Sequence, residues 1–181
     1  MNKERFLLHI CCAPCSPHPV RTLKERFAVE LYFYNPNIHP EEEYFERLRE
    51  AERLAGLENI PLHKGEYRHN AWLEKADFWR DEPERGLRCK FCISDRIFET
   101  VRKAECEGIK RFGTVLSLSR LKSAEMINSL GWHAMENSGE VVFDATDWKK
   151  KDGFNLSVKI CGELGLKRQN YCGCEYSRAK G

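Results

Sequence analysis

The stretch from Arg5 to Cys15 reads Arg-Phe-Leu-Leu-His-Ile-Cys-Cys-Ala-Pro-Cys and joins a short apolar run to a turn that carries three cysteines. The apolar part, residues 5–10, has the length and composition of a buried β-strand. Pro14 and Pro17 lack amide hydrogens, so the chain cannot continue a sheet through them. The sequence therefore predicts a strand that ends in a cysteine-rich turn.

Strand and helix patterns alternate along the rest of the chain, without a repeat or a linker that would divide it. This alternation predicts an α/β fold, one domain over residues 1–181, with a mostly parallel sheet flanked by helices. Such a Rossmann-like sheet is similar to those of the adenine-nucleotide alpha-hydrolase (HUP) type, and ligands bind at the carboxyl ends of its strands. The metal site is expected there. Further strands are predicted at residues 29–34, 60–64, 111–116 and 140–144, and helices at 19–27, 40–56 with Gly56 as C-cap, 67–79, 93–104, 122–130 and 155–164.

Length, charge and cysteine content indicate in which compartment the protein works. The chain has 181 residues, a formal net charge of +2 and nine cysteines. The apolar run at residues 6–10 is too short for a secretory leader or a membrane span, so a cytoplasmic protein without membrane contact is expected. In a reducing compartment, clustered thiols indicate metal or redox chemistry rather than a disulfide framework.

Seven of the nine cysteines lie in three tight groups, which indicates a thiolate-bound metal. Four thiolates are the usual complement of a [4Fe–4S] cluster, and they are also the complement of a structural zinc site. Spacing alone leaves iron-sulfur and zinc open. The groups are Cys11-Cys12-Ala-Pro-Cys15, Cys89-Lys-Phe-Cys92 and Cys172-Gly-Cys174; Cys11, Cys12, Cys89 and Cys92 would serve a cluster, and Cys12, Cys15, Cys89 and Cys92 a zinc ion.

The remaining cysteines and charges support separate expectations. Cys172 and Cys174 are near enough in sequence for a disulfide across Gly173, or they are free or metal-bound thiols. Cys106 and Cys161 lie in apolar helical patterns and are expected to be buried packing residues. A positive bias in the last third comes from Lys149, Lys150, Lys151, Lys167 and Arg168. Such a run of charge alone is usually a solvated surface. If the substrate is a nucleic acid, these residues are the expected phosphate-binding patch, with Trp148 and Tyr171 as candidate stacking groups.

Four segments in this order resemble the QueH-type epoxyqueuosine reductases, and the similarity covers nearly the whole chain. They are Leu-Leu-His-Ile-Cys-Cys-Ala-Pro-Cys-Ser at residues 7–16, Phe-Tyr-Asn-Pro-Asn-Ile at 33–38, Cys89-Lys-Phe-Cys92 followed by Asp95-Arg96, and Arg-Gln-Asn-Tyr-Cys-Gly-Cys at 168–174. At residues 115–121 the sequence Val-Leu-Ser-Leu-Ser-Arg-Leu departs from the Leu-Leu-Ser-Pro-Tyr-like pattern of the family.

The resemblance implies reduction of epoxyqueuosine to queuosine at the wobble position of tRNA, without cobalamin and with an external low-potential electron donor. It implies a [4Fe–4S] cluster on Cys11, Cys12, Cys89 and Cys92 and a redox-active disulfide between Cys172 and Cys174. Cys15 is then left beside the cluster, where we expect it either to hold a second metal, such as a second iron, or to line the substrate pocket.

Two rival classes follow from the same residues. An adenylating tRNA-sulfur enzyme would need a glycine-rich phosphate loop, and residues 11–16 contain no glycine. A zinc-stabilised RNA-binding module would use the clustered cysteines only for structure. Iron in the purified protein would distinguish the reductase from this module.

Overall fold

The structure, a computed structural model that describes residues 3–178, contains one five-stranded sheet in the order β3-β2-β1-β4-β5. All four neighbouring strand pairs are parallel, which confirms the predicted class of fold. The strands are β1 Arg5–His9, β2 Ala28–Phe33, β3 Leu62–Lys64, β4 Arg111–Thr114 and β5 Val142–Phe143.

Helices connect the strands and cover the sheet. In the described part of the chain, no helix is long and apolar enough to cross a membrane. The helices are α1 Pro17–Lys24, α2 Glu41–Glu58, α3 His69–Ala76, α4 Leu87–Cys106, α5 Ala124–Glu136, α6 Gly153–Glu163 and α7 Glu175–Arg178, with 3₁₀ turns at Ala13–Cys15, Asp77–Trp79, Leu116–Leu118 and Lys150–Asp152.

Strand β1 is buried on both faces because its side chains alternate between two hydrophobic cores. Phe6 and Leu8 belong to the core that packs against α1, α2 and α6. Leu7 belongs to the opposite core, with Ile97 of α4 and Ile127 of α5. A strand buried in this way reads as a continuous apolar run, which is why it was recognisable in the sequence.

The order of the strands in the sheet indicates where a ligand would bind. From β1 the chain builds the sheet outward through β2 and β3, and it then returns to the other side of β1 to add β4 and β5. The carboxyl ends of β1 and β4 therefore border a topological switch point, where open α/β sheets bind ligands. The cysteine-rich turn follows β1 and residues 115–123 follow β4.

Some local predictions were wrong. Helices α1 and α5 have different ends from those predicted, Pro17–Lys24 and Ala124–Glu136. Helix α2 does not end at Gly56 but continues to Glu58, and Asn59 adopts the left-handed conformation (φ 51°) that ends it. Asn tolerates this conformation because its short polar side chain bonds locally. Cys106 is exposed, not buried, because it lies off the buried face of α4, whereas Cys161 is buried as predicted.

Candidate metal and redox site

The cysteine-rich turn folds back on itself directly after β1. Cys12 has extended backbone angles, and the 3₁₀ turn that follows reverses the chain before Pro17 begins α1. The buried Ser16 hydroxyl closes the turn by donating to the Cys12 carbonyl at 2.8 Å. On a regular strand the side chains of Cys11 and Cys12 would point to opposite faces. Because the chain leaves the strand here, their sulfur atoms can lie on the same side.

The turn brings three thiols together. The sulfur atoms of Cys11, Cys12 and Cys15 all lie within 4.8 Å of one another, with 3.8 Å between Cys11 and Cys12. Hydrogen bonds from the Cys12 and Cys15 thiols lower the pKa of Cys11 well below its ordinary value. The pKa of Cys12 is raised by the same interaction and by burial. The pKa of the Cys15 thiol is raised as well, so Cys11 is the one thiol of the three whose pKa is lowered.

Hydrogen bonds from buried polar side chains fix the end of β1, just before the turn. Asn35 donates from Nδ2 to the Ile10 carbonyl at 2.9 Å. His9 is fully buried, with Nε2 3.1 Å from the Tyr34 carbonyl and Nδ1 2.9 Å from Thr114 Oγ1. A carbonyl only accepts, so Nε2 carries the proton and Nδ1 accepts from the hydroxyl. Burial lowers the pKa of His9 to about 4, so the ring is a neutral structural bridge at neutral pH.

Helix α4 contributes Cys89 and Cys92 from its first two turns. Its first amide, at Leu87, donates to the Glu82 carboxylate at 2.9 Å. The Arg85 amide donates to the Cys89 sulfur at 3.2 Å. The helix begins at Leu87, six residues before the predicted start, so the pair lies at a helix N-terminus, where the helix dipole favours thiolates.

Two cations compensate the sulfur charge. Arg96 is 2% exposed, and its guanidinium donates to the carbonyl and sulfur of Cys92, at 3.0 and 3.4 Å. Burial nevertheless raises the pKa of the Cys92 thiol to about 12. Burial also disfavours the charge on Lys122, but attraction to Cys172 and Cys11 outweighs it and raises the pKa of Lys122. Both cations favour ionised thiols once a ligand displaces the protons.

The third cysteine group lies on the irregular segment before α7, and Arg47 of α2 anchors it. The Arg47 guanidinium is buried and donates to the carbonyls of Tyr171 and Cys172, at 3.3 and 3.2 Å. The His39 amide donates to the Gly173 carbonyl at 2.8 Å. Gly173 has φ +110°, and a Cβ there would lie 3.0 Å from an Arg47 nitrogen, so the segment needs glycine at this position.

The segment is also anchored beyond Gly173. Cys174 is buried in a small cluster with Cys92 and Trp72, and burial raises its pKa. The Ser177 hydroxyl and amide both donate to the Cys174 carbonyl, at 2.8 and 3.0 Å. The two thiols of this group are therefore held at the face of α4 that carries the second cysteine pair.

All seven clustered cysteines line one cavity of about 630 Å³. The compact three-thiol group includes Cys11 and Cys12 of the predicted ligand set, together with Cys15. Cys89 and Cys92 line the cavity outside that compact group, so the four-ligand set stays a prediction. Closely spaced thiols, buried or half-buried and beside two cations, are a donor set that fits an iron-sulfur cluster.

Some residues of the predicted basic patch are bound to other protein groups, and others are exposed to solvent. Lys149 donates to the carbonyls of Ser117 and Lys122, at 2.7 and 3.1 Å. Lys167 pairs with Glu46 at 2.7 Å. Lys150 and Lys151 are exposed, and Arg168 is exposed on the cavity wall. Of the two candidate stacking groups, Trp148 is buried with its indole N–H on the Thr114 carbonyl, whereas Tyr171 lines the cavity.

Three cationic residues of the site were not predicted from the sequence as site residues. Arg96 is four residues after Cys92, so helical spacing could have placed it beside that sulfur. Arg47 and Lys122 belong to elements remote from the cysteines along the chain, and no local pattern marks them.

Sequence comparison shows which family of proteins this chain is similar to. A family profile described as epoxyqueuosine reductase QueH matches residues 6–180. Epoxyqueuosine reductase QueH of Acinetobacter baylyi is 37% identical over 177 residues, which are 97% of this chain and 81% of the relative. The proteins of the same name from Histophilus somni and Staphylococcus epidermidis are 37% and 35% identical, over 96% and 99% of this chain and 72% and 78% of theirs.

The fold is shared with a more distant solved structure. The U34-tRNA thiolase NcsA from Methanococcus maripaludis, with its [4Fe-4S] cluster, superposes with a TM-score of 0.62 at 13% identity, over 98% of this chain and 62% of that protein. This similarity supports the Rossmann-like architecture. From the family profile and the identity to these reductases, the chain belongs to the QueH epoxyqueuosine reductase family and is an oxidoreductase.

Proposed function

We propose that this chain reduces the epoxide of epoxyqueuosine in tRNA to the alkene of queuosine, the last step of queuosine biosynthesis. The observation that carries the proposal is the convergence of seven thiols on one cavity in a member of this family. The reaction adds two electrons and two protons to the substrate and releases the epoxide oxygen as water. The cavity must therefore hold a source of electrons and a source of protons.

The proposed cofactor is a [4Fe–4S] cluster on Cys11, Cys12, Cys89 and Cys92. When bound, such a cluster supplies electrons one at a time. The buried Arg96 beside Cys92 offsets part of the negative charge of the ligand thiolates. Cys15, which lies within 4.8 Å of two proposed ligands, either holds a second iron or lines the substrate pocket.

The proposed source of the electron pair is the Cys172 and Cys174 dithiol. When the two sulfurs form a disulfide, they release two electrons and two protons, which balances the reduction of the epoxide. Burial raises the pKa of Cys174, which favours its protonated thiol form. An external low-potential donor then returns two electrons, and solvent returns two protons. The reaction needs no cobalamin in this scheme.

The proposed substrate is tRNA carrying epoxyqueuosine at the wobble position. Its phosphates would be attracted to the predicted patch of Lys149, Lys150, Lys151, Lys167 and Arg168. Of this patch, Arg168 also lines the cavity that the thiols line. A phosphate bound by Arg168 would therefore lie at the same cavity as the thiols.

The test is anaerobic incubation of iron-reconstituted protein with epoxyqueuosine-containing tRNA and a low-potential reductant, without added cobalamin. Mass analysis of the digested nucleosides should show conversion to queuosine. Protein loaded with zinc instead of iron is the matched control and should give no product. Iron-loaded protein that leaves epoxyqueuosine intact, or a protein that takes up only zinc, would contradict the proposal.

A further inference from the structure

The cavity wall carries more positive charge than the carboxylates around it neutralise. Among the residues that the structure describes, Glu84 is the only acidic one that lines this wall. Within residues 3–177, six cationic side chains of the wall have no carboxylate at salt-bridge distance, whereas most other arginines of the surface are paired. The six are Arg85, Arg88, Arg96, Arg120, Lys122 and Arg168.

Three of these cations are engaged by the protein itself. Arg96 bonds to Cys92, and Lys122 is attracted to the thiols. Arg88 donates to the carbonyls of residues 79, 80 and 82, at 2.7 to 3.0 Å, and stacks on Tyr176. Arg85 follows Glu84, the acidic residue of the wall, in the sequence. Arg120 and Arg168 differ from these four because they meet at a shared partner.

Arg120 and Arg168 share one aromatic ring. The Arg120 guanidinium lies 4.1 Å from the centre of the Phe154 ring, and that of Arg168 lies 5.9 Å from it. All three residues line the cavity, and both arginines are exposed. Two guanidiniums on a shared ring place two positive charges side by side on the cavity wall.

The surrounding structure orders this pair before any ligand binds. Arg120 also donates to Asn155 Oδ1 at 3.2 Å. The loop that carries Arg120 is fastened by Lys149, whose ammonium donates to the carbonyls of Ser117 and Lys122. Preorganised side chains lose less conformational entropy on binding. Arg168 lies four residues before Cys172, so the pair is joined to the redox segment by a short piece of chain.

We propose that Arg120 and Arg168, stacked on Phe154 at the cavity wall, bind the phosphates next to the reacting nucleotide of the tRNA anticodon loop. This inference rests on the proposed function and adds the residues that position the substrate. Guanidiniums bind phosphate through paired N–H groups, and uncompensated cations in a concave site favour a polyanion. Arg120 lies in the loop after β4, at the carboxyl end of the sheet where open α/β folds bind ligands.

The test measures binding of a fluorescent anticodon stem-loop RNA at several salt concentrations. Loss of two contacts to single-stranded phosphates should reduce the slope of log K against log salt by about 1.4, which is about 25-fold in affinity at about 0.1 M salt. This is the result expected for the Arg120→Ala, Arg168→Ala double variant. The double lysine variant should keep most of the wild-type slope, because it keeps both charges.

Arg26→Ala is the matched control, since Arg26 is also exposed and stacked on a phenylalanine, 5.2 Å from the Phe27 ring, but does not line the cavity. It should bind RNA as the wild type does. If the wild-type protein reduces the tRNA but the double alanine variant has an unchanged slope of log K against log salt, this inference is wrong and the proposed function still stands. Wild-type protein that neither binds the stem-loop nor reduces tRNA overturns the proposed function together with it.

Discussion

The guanidinium of Arg47 donates to the carbonyl of Cys172 at 3.2 Å across 125 residues of sequence. Its other contacts are the Tyr171 carbonyl at 3.3 Å and the Glu43 carboxylate at 2.6 Å, and the side chain is only 3% exposed. A buried charge with several hydrogen-bond partners constrains the groups that surround it. Arg47 therefore fixes the backbone that carries the proposed redox pair, although it touches neither sulfur.

Replacing Arg47 with Met should loosen this segment, because two backbone hydrogen bonds disappear and Glu43 loses its partner. We expect a loss of unfolding free energy of about 3 kcal/mol and faster alkylation of Cys172 and Cys174. Arg47→Lys keeps the ion pair but loses the two-pronged contact, so its alkylation rates should be intermediate. Rates equal to those of the wild type in the Met variant would show that Arg47 does not position the segment.

Single substitutions Cys172→Ser and Cys174→Ser should abolish formation of queuosine and leave the iron content unchanged. A serine hydroxyl cannot form the disulfide that releases the electron pair. The control is Cys106→Ser, an exposed thiol at the far end of α4, which should retain full turnover. Loss of iron in either of the first two variants would instead identify that cysteine as a metal ligand.

Cys15 requires its own measurement, because it lies in the compact thiol group without belonging to the proposed ligand set. Cys15→Ala should keep the cluster iron, and it should lose either one further iron or much of its turnover. Cys11→Ala should instead lose the cluster, because it removes a proposed ligand. Iron content and turnover that both match the wild type in Cys15→Ala would remove any role for this thiol in the site.

The strand alternation and the cysteine groups were sufficient to predict the sheet and the cavity-lining thiols. These features depend on local composition, such as the apolar run of β1. The motif at residues 11–15 predicted that Cys11 and Cys15 lie in one turn, but not that their sulfur atoms lie within 4.8 Å of each other. The position of Arg47 depends on packing between remote elements and has no local sequence signal. The burial predicted for Cys106 failed because the buried face of α4 contains Ala104, and Cys106, two positions later, points to the other side of the helix.

Lys149 and Lys150 were predicted to bind RNA together, and the structure allows their contributions to be separated. The double alanine variant should bind tRNA more weakly than the wild type, with a loss that depends on salt. Lys150 is exposed, so Lys150→Ala alone should reduce the salt dependence and leave stability unchanged.

Lys149→Ala should act through the loop before α5. It removes the ammonium that donates to the Ser117 and Lys122 carbonyls, so the unfolding free energy should fall by about 1–2 kcal/mol. RNA affinity should fall with it, since this loop carries Arg120. Urea denaturation and RNA titration of the two single variants measure these effects. Unchanged stability in Lys149→Ala, or salt-independent binding by the wild type, would contradict this division of roles.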